Sequence, residues 1–70
     1  MNVLMTMPVF NEADGITIFL SELCEELEGH VDSILITDDS STDGTSEVIN
    51  SFLKKYSGQI IFELVKNEKN

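Results

Sequence analysis

Basic side chains are scarce in this 70-residue sequence: four Lys and Arg stand against thirteen Asp and Glu, a net charge of −9. Binding along a nucleic-acid backbone needs a Lys/Arg footprint, so no nucleic-acid partner is expected. A nucleotide remains admissible, because a few placed donors or a divalent metal can neutralise its phosphates. Cysteine is nearly absent too. Cys24 alone cannot close an internal disulfide, which fits a reducing, cytoplasmic setting. No apolar run approaches the roughly 20 residues needed to span a bilayer. The N-terminus lacks the basic-then-apolar pattern of a secretory signal; membrane segments further along a longer parent protein stay open. There is no internal repeat, low-complexity tract or internal linker. Much of the acidity sits in Glu22, Glu25, Glu26 and Glu28, which reads as a solvated helix face and not a docking site.

What is present is an alternation of short apolar runs and helical stripes. Val3 to Met7 read as a buried strand that Pro8 ends by removing a ladder donor. Asn11 or Asp14 can cap the next element. Ile16, Phe19, Leu20, Leu23, Cys24 and Leu27 form one apolar helical stripe, stopped by Gly29-His30. Ser33 to Thr37 form a second strand, its continuous apolar run pointing to burial on both faces. Asp43 caps a second helix with an inward stripe of Thr45, Val48, Ile49, Phe52, Leu53 and Tyr56. Lys54 and Lys55 lie in its last turns, where cations suit the dipole. Ser57-Gly58 break it, and Ile60 to Val65 form a third strand.

The order is β-α-β-α-β with right-handed crossovers, an α/β, Rossmann-like, parallel three-stranded sheet. A domain this small buries only about 60% of its unfolded surface, and a charged tail, Lys66 to Asn70, follows with no closing element. Residues 1–70 are therefore expected to be a single partial domain, the first part of a larger one or a half-domain that needs a partner. Its bare Val3–Met7 edge is expected to pair with other chains, giving a homo-oligomer or swapped assembly.

Two strand ends carry the chemistry. Ile34-Leu35-Ile36-Thr37 runs abruptly into Asp38-Asp39, then Ser40-Ser41-Thr42, then Asp43-Gly44 before the second helix. The carboxyl ends of parallel strands line the ligand crevice of open α/β sheets. Hydroxyls and free N–H groups at a helix start suit phosphate or sugar oxygens. With the first two strands adjacent, Phe10, Asn11 and Glu12 stand near Asp38 and Asp39. Carboxylates that accept from a ribose or a base edge, beside an aromatic face, make a nucleoside pocket in chemical terms.

Met7-Pro8-Val9-Phe10-Asn11-Glu12 followed by Ile36-Thr37-Asp38-Asp39-Ser40-Ser41-Thr42-Asp43-Gly44-Thr45 closely resembles the start of family 2 glycosyltransferases. In that family one strand ends Pro-x-Tyr/Phe-Asn-Glu and the next Val-Asp-Asp-Gly/Ser-Ser-x-Asp-x-Thr. The third strand precedes a basic-polar stretch ending in Asn, as Lys66 to Asn70 does. The resemblance spans nearly the whole chain. It implies the N-terminal portion of a GT-A fold that binds the nucleoside part of a UDP- or GDP-linked sugar for transfer, with inversion, to an acceptor hydroxyl. Carried over by position, Pro8, Phe10 and Glu12 line the base and ribose. Asp39 accepts from the base, Asp38 orients the loop or contacts the ribose, and Ser40 and Ser41 lie near the nucleotide. A divalent metal, Mg or Mn, is implied for the full-length enzyme. The family's metal-binding Asp-x-Asp and its acidic general base come after the third strand and are absent here. Transfer needs both, so the chain alone is expected to be inactive; the alternative is an inactive truncated domain that folds by self-association.

Blander readings exist for each residue. Asp38 and Asp39 also suit a strand end that bonds local backbone, Asp43-Gly44 a cap and turn, Phe10 simple packing, and Glu12 a first-turn charge. Cys24 lies on the buried stripe, His30 is a lone turn residue, and Met1, Met5 and Met7 belong to the strand. Asp39-x-Ser41-x-Asp43-Gly44 imitates the start of an EF-hand loop, but the twelfth position is Asn50 and a strand precedes it. A receiver-type acidic pair would follow the first strand, and residues 60–67 hold only Glu63 where that fold needs its phospho-accepting Asp. Thr42 to Thr45 echo an aspartyl-phosphate phosphatase motif whose nucleophile would fall at Ser41.

Overall fold

A computed structural model describes residues 2–67. Met1 and residues 68–70, which carry part of the expected first strand and charged tail, lie outside the described residues. The elements run β1 (Leu4–Val9), α1 (Ile16–Leu27), β2 (Ser33–Asp39), α2 (Thr45–Lys55) and β3 (Ile61–Asn67). The strands form one parallel sheet in the order β1-β2-β3. This is the Rossmann-like β-α-β-α-β unit that the patterning implied.

Both helices lie on the same face of the sheet and pack against each other. Met7, Val9, Ile34, Ile36 and Ile60 meet Ile16, Leu20 and Ile49 there to form the core. β2 was expected to be buried on both faces, but only one of its faces is buried. Ile34, Ile36 and Asp38 are buried, but the alternate residues Leu35 and Thr37 are only half-buried. No described element covers the second face. Leu4 and Ile61 are 62% and 70% exposed; both pair with Ser33, two residues before Leu35 and on the same face.

Several boundaries shift for identifiable reasons. Pro8 does not end β1; it lies inside the strand opposite Thr37. The Val3 carbonyl accepts from Asp32 and Ser33 at 2.9 and 3.2 Å. By the alternation of a parallel ladder, Val3, Met5, Met7 and Val9 then face β2, while Leu4, Thr6 and Pro8 turn their backbone groups outward. The donor that proline lacks belongs to the open edge, the place where a strand tolerates it. β2 extends through Asp39 and β3 through Asn67 because Asp38 pairs with Lys66 and Asp39 with Asn67.

Neither Asn11 nor Asp14 caps α1. The cap position is Gly15, with no side-chain bond, and the Glu12 carbonyl accepts from the Gly15 and Ile16 N–H groups at 3.1 and 2.9 Å. α2 is preceded by Gly44 at φ 84, a left-handed conformation that glycine adopts without penalty. Asp43 still serves that end, since its carboxylate accepts from the Thr45 N–H at 3.2 Å. Phe19, placed on the buried stripe by periodicity, is half exposed. It lies beyond β1, the edge strand, where no further strand exists among the described residues to cover it.

The rim opposite the strand carboxyl ends is closed by a clasp. The Tyr56 hydroxyl donates to Glu28 at 2.5 Å and accepts from the Ile60 N–H at 3.0 Å, while Glu28 also accepts from the Gln59 N–H at 2.9 Å. The Tyr56 bond, with that from Gln59, holds the Glu28 carboxyl below its ordinary range. Burial and the bond to Glu28 push the Tyr56 phenol up. Gly58 sits against this clasp: a methyl group there falls 2.2 Å from the Tyr56 hydroxyl oxygen and 2.4 Å from Glu28 Oε2. Gly58→Ala should therefore open the clasp and destabilise the chain by about 1–3 kcal/mol, the usual cost of forcing volume into an occupied site. Thermal melting of the variant beside the parent checks this; an unchanged midpoint would show that the clasp yields without cost.

Candidate functional site

The site is built where β1 and β2 end. Val9 pairs with Asp38, so Phe10 and Asp39 occupy the next positions along two adjacent strands, and both are exposed. The loops that follow are laced together. Three consecutive N–H groups of the first loop donate to side chains of the second: Asn11 to Ser41 Oγ at 2.8 Å, Glu12 to Thr45 Oγ1 at 2.9 Å, and Ala13 to Asp43 Oδ2 at 3.2 Å. In return the Thr42 N–H donates to Asn11 Oδ1 at 2.8 Å.

Such a run of N–H groups makes an anion-binding concavity when it is open. Here side-chain oxygens fill it. Of the second loop, whose N–H groups were expected to suit phosphate or sugar oxygens, those of Ser41, Thr42 and Thr45 are engaged by Asp38, Asn11 and Asp43. What the rim leaves exposed is acceptor chemistry: the Asp39 and Glu12 carboxylates, with the Phe10 ring between strand end and solvent.

Asp38 and Asp39 part company because neighbouring strand residues point to opposite faces. Asp38 is fully buried on the helix side. It accepts from the Ser41 N–H at 3.0 Å and, in a short contact, from the Ser46 hydroxyl. Burial alone would raise its pKa, but the bonds from Ser41 and Ser46, with the nearby Lys66 charge, together hold it below the ordinary carboxylate range. Asp43 is likewise held low, chiefly by the Thr45 hydroxyl and with help from the Ala13 and Thr45 N–H groups. Both carboxylates thus fix the second loop.

Pro8 and Glu12 border a cleft of about 290 Å³ at the outer side of β1, walled by Met7, Val9, Ile16 and Phe19. Ser40 adopts φ 64 and donates through Oγ to the Asn67 carbonyl at 2.7 Å, tying the loop to β3. Ser41 is engaged on both sides, by Asn11 and by Asp38. A larger hollow of about 550 Å³ lies between α1 and α2, beside Cys24, Phe52 and Tyr56. It is remote from these loops, and burial pushes the Cys24 thiol up, with the Glu28 charge adding to it. That thiol is core. Among the described residues no three His, Cys, Asp or Glu side chains are placed to share a metal ion. No described helix is long and apolar enough to cross a membrane.

Sequence reasoning set Asn11 near the acidic pair without giving its side chain a task, and did not single out Ser46 or Thr45 for this site. The task of Ser46 shows only in its burial beside Asp38.

Comparison with known proteins agrees with this architecture. Residues 5–70 match the profile of Glycosyl transferase family 2. The chain is 31% identical over 68 residues to a poly(ribitol-phosphate) beta-glucosyltransferase of Bacillus spizizenii, an alignment covering 96% of this chain and 11% of that protein. It is 41% identical over 64 residues to an uncharacterized protein of Methanocaldococcus jannaschii, covering 91% of this chain and 25% of that protein. The chain thus spans a quarter or less of the length of these relatives. No solved structure matches it. A parallel β-α-β-α-β unit, its two acidic strand ends on one rim and a profile match over nearly all its length together place this chain in glycosyl transferase family 2.

Proposed function

We propose that the rim formed by Phe10, Glu12 and Asp39 receives the nucleoside of a UDP- or GDP-linked sugar. One observation carries this reading. The N–H groups of Asn11, Glu12, Ala13 and Thr42 are occupied internally, whereas exposed carboxylates and an aromatic face remain. Such a surface suits a ligand that presents donors and a flat ring, as the N–H edge of uracil or guanine and the ribose hydroxyls do. It does not suit a bare phosphate. Asp39 accepts from the base, Phe10 packs on the base or ribose, and Pro8 and Glu12 line the adjoining cleft at the β1 edge. Asp38, Ser40 and Ser41 hold the loop.

The residues present do not fit the divalent ion that the family implies. Both oxygens of Asp38 already accept hydrogen bonds, and the described carboxylates form no ligand set. No step through a metal is assigned to this chain, and sugar transfer by it is not part of the proposal. Asp39→Ala should weaken UDP or GDP binding by about 1.5–3 kcal/mol, the worth of a hydrogen bond to a charged group. Calorimetric titration of both nucleotides into parent and variant tests this; equal affinities would remove Asp39 from the site.

The open edge of β1 favours a second, non-enzymatic reading, self-association. Val3 to Phe10 contain no charge, so nothing but Pro8 guards that edge. A two-fold antiparallel pairing centred on Thr6 sets Leu4 opposite Pro8 of the second copy and loses only the donor each proline lacks. Thr6→Lys should then shift the chain toward monomer in sedimentation velocity. A parent that already sediments as a folded monomer would end this reading.

A further inference from the structure

Resting on the nucleoside reading above, we propose that Asn11 is the positioning residue of this rim, clamping the two loops so that Phe10 and Asp39 are held at a fixed spacing. Among the described residues only two that are not glycine adopt positive φ, Asn11 at 51 and Ser40 at 64. Each directly follows an exposed side chain assigned to the ligand, Phe10 and Asp39. Left-handed backbone is rare for L-residues and least unfavourable for Asn. It is retained where the surroundings over-determine it, commonly at ligand sites. Both strands thus end in the same way: the contact residue stands at the tip, and the next residue turns the chain sharply away.

Asn11 is the one that joins the two halves. Its N–H donates to Ser41 Oγ and its side-chain carbonyl accepts from the Thr42 N–H, both at 2.8 Å. Ser40 anchors sideways, to the Asn67 carbonyl of β3. The second loop is therefore gripped from β1 by Asn11 and from β3 by Ser40, with Asp39 between. Asn answers two demands at position 11, tolerance of the left-handed region and an acceptor of the right reach. Asp meets both, Gly meets only the first, and Ala meets neither.

The test is the series Asn11→Asp, Asn11→Gly and Asn11→Ala in the full chain. UDP and GDP affinities, melting temperature and the hydrogen exchange of the Thr42 amide are all measured. Asn11→Asp should keep the Thr42 amide protected and bind like the parent. Asn11→Gly should lose that protection, and its affinity should fall by about tenfold, the equivalent of one lost hydrogen bond of ordinary worth. Asn11→Ala should bind more weakly still. Gly58→Ala, at the opposite rim, controls for stability alone, and it should lower the melting temperature with nucleotide affinity unchanged. Parental affinity in Asn11→Gly, or an equal loss in Gly58→Ala, would overturn the positioning role. If the parent chain binds neither nucleotide, the nucleoside reading itself falls and the positioning role with it.

Discussion

Replacing Ile36 with alanine is expected to leave the chain largely unfolded at room temperature. Ile36 has no solvent exposure and sits in the middle of the central strand, between Met7 of β1 and Leu64 of β3. Removing a buried Ile side chain to Ala typically costs about 2–5 kcal/mol, including the cavity left behind. A single core in a chain of fewer than about 80 residues rarely supplies more than 3–5 kcal/mol in all. One substitution is thus of the same size as the whole stability. Ile36→Val, which leaves a smaller void, should cost only about 0.5–1.5 kcal/mol and keep a cooperative transition. Leu35→Ala is the comparison on the uncovered face and should be milder than Ile36→Ala. Urea unfolding followed by circular dichroism separates the three. A cooperative Ile36→Ala transition close to that of the parent would mean that the helices do not depend on this strand.

The second large effect falls on Asp38. Asp38→Ala removes the acceptor for two donors, the Ser41 N–H and the Ser46 hydroxyl, at a position closed to water. With hydrogen bonds to charged groups worth about 1.5–3 kcal/mol each and not fully additive, a loss of about 3 kcal/mol is expected. Asp38→Asn retains a carbonyl for one donor and should fall between. The pH dependence has a definite sign. Because the folded pKa of Asp38 lies below its ordinary value, its contribution is complete above the unfolded carboxylate range. It is lost as pH falls through the lowered folded value. The parent should melt at a steady temperature from neutrality to about pH 5 and lose stability below that. Glu28 and Asp43, also held low, contribute with the same sign, so Asp38→Ala should flatten the acid limb without abolishing it. An acid limb of parental steepness would mean that Asp38 is not linked to folding.

How far the sequence speaks depends on the range of the interaction. The stripe Ile16, Leu20, Cys24 and the apolar run of β2 are local patterns of a few residues, and the element order was legible from them. The meeting of Phe10 and Asp39 on one rim followed from topology alone, since parallel neighbours end together. Phe19 and the second face of β2 were misjudged because an apolar residue records only that it could be buried. Whether it is depends on a covering layer, and none exists here among the described residues. The separate fates of Asp38 and Asp39 required the register: a strand extending two residues further than its apolar run sends one carboxylate inward and the other to solvent. The lacing of the loops was invisible because Asn11 and Thr42, or Glu12 and Thr45, are distant in sequence and carry no pattern that pairs them.

The sequential strand order also fixes the order in which the molecule can be assembled during synthesis. β2 is the one member with two neighbours, and each of its mates is the element made just before or just after the intervening helix. A nascent chain emerging N-terminus first can close its first unit once β2 has emerged, and β3 then adds to a template already formed. No described segment must be kept unpaired until a remote one is translated, so growth and folding can advance in step.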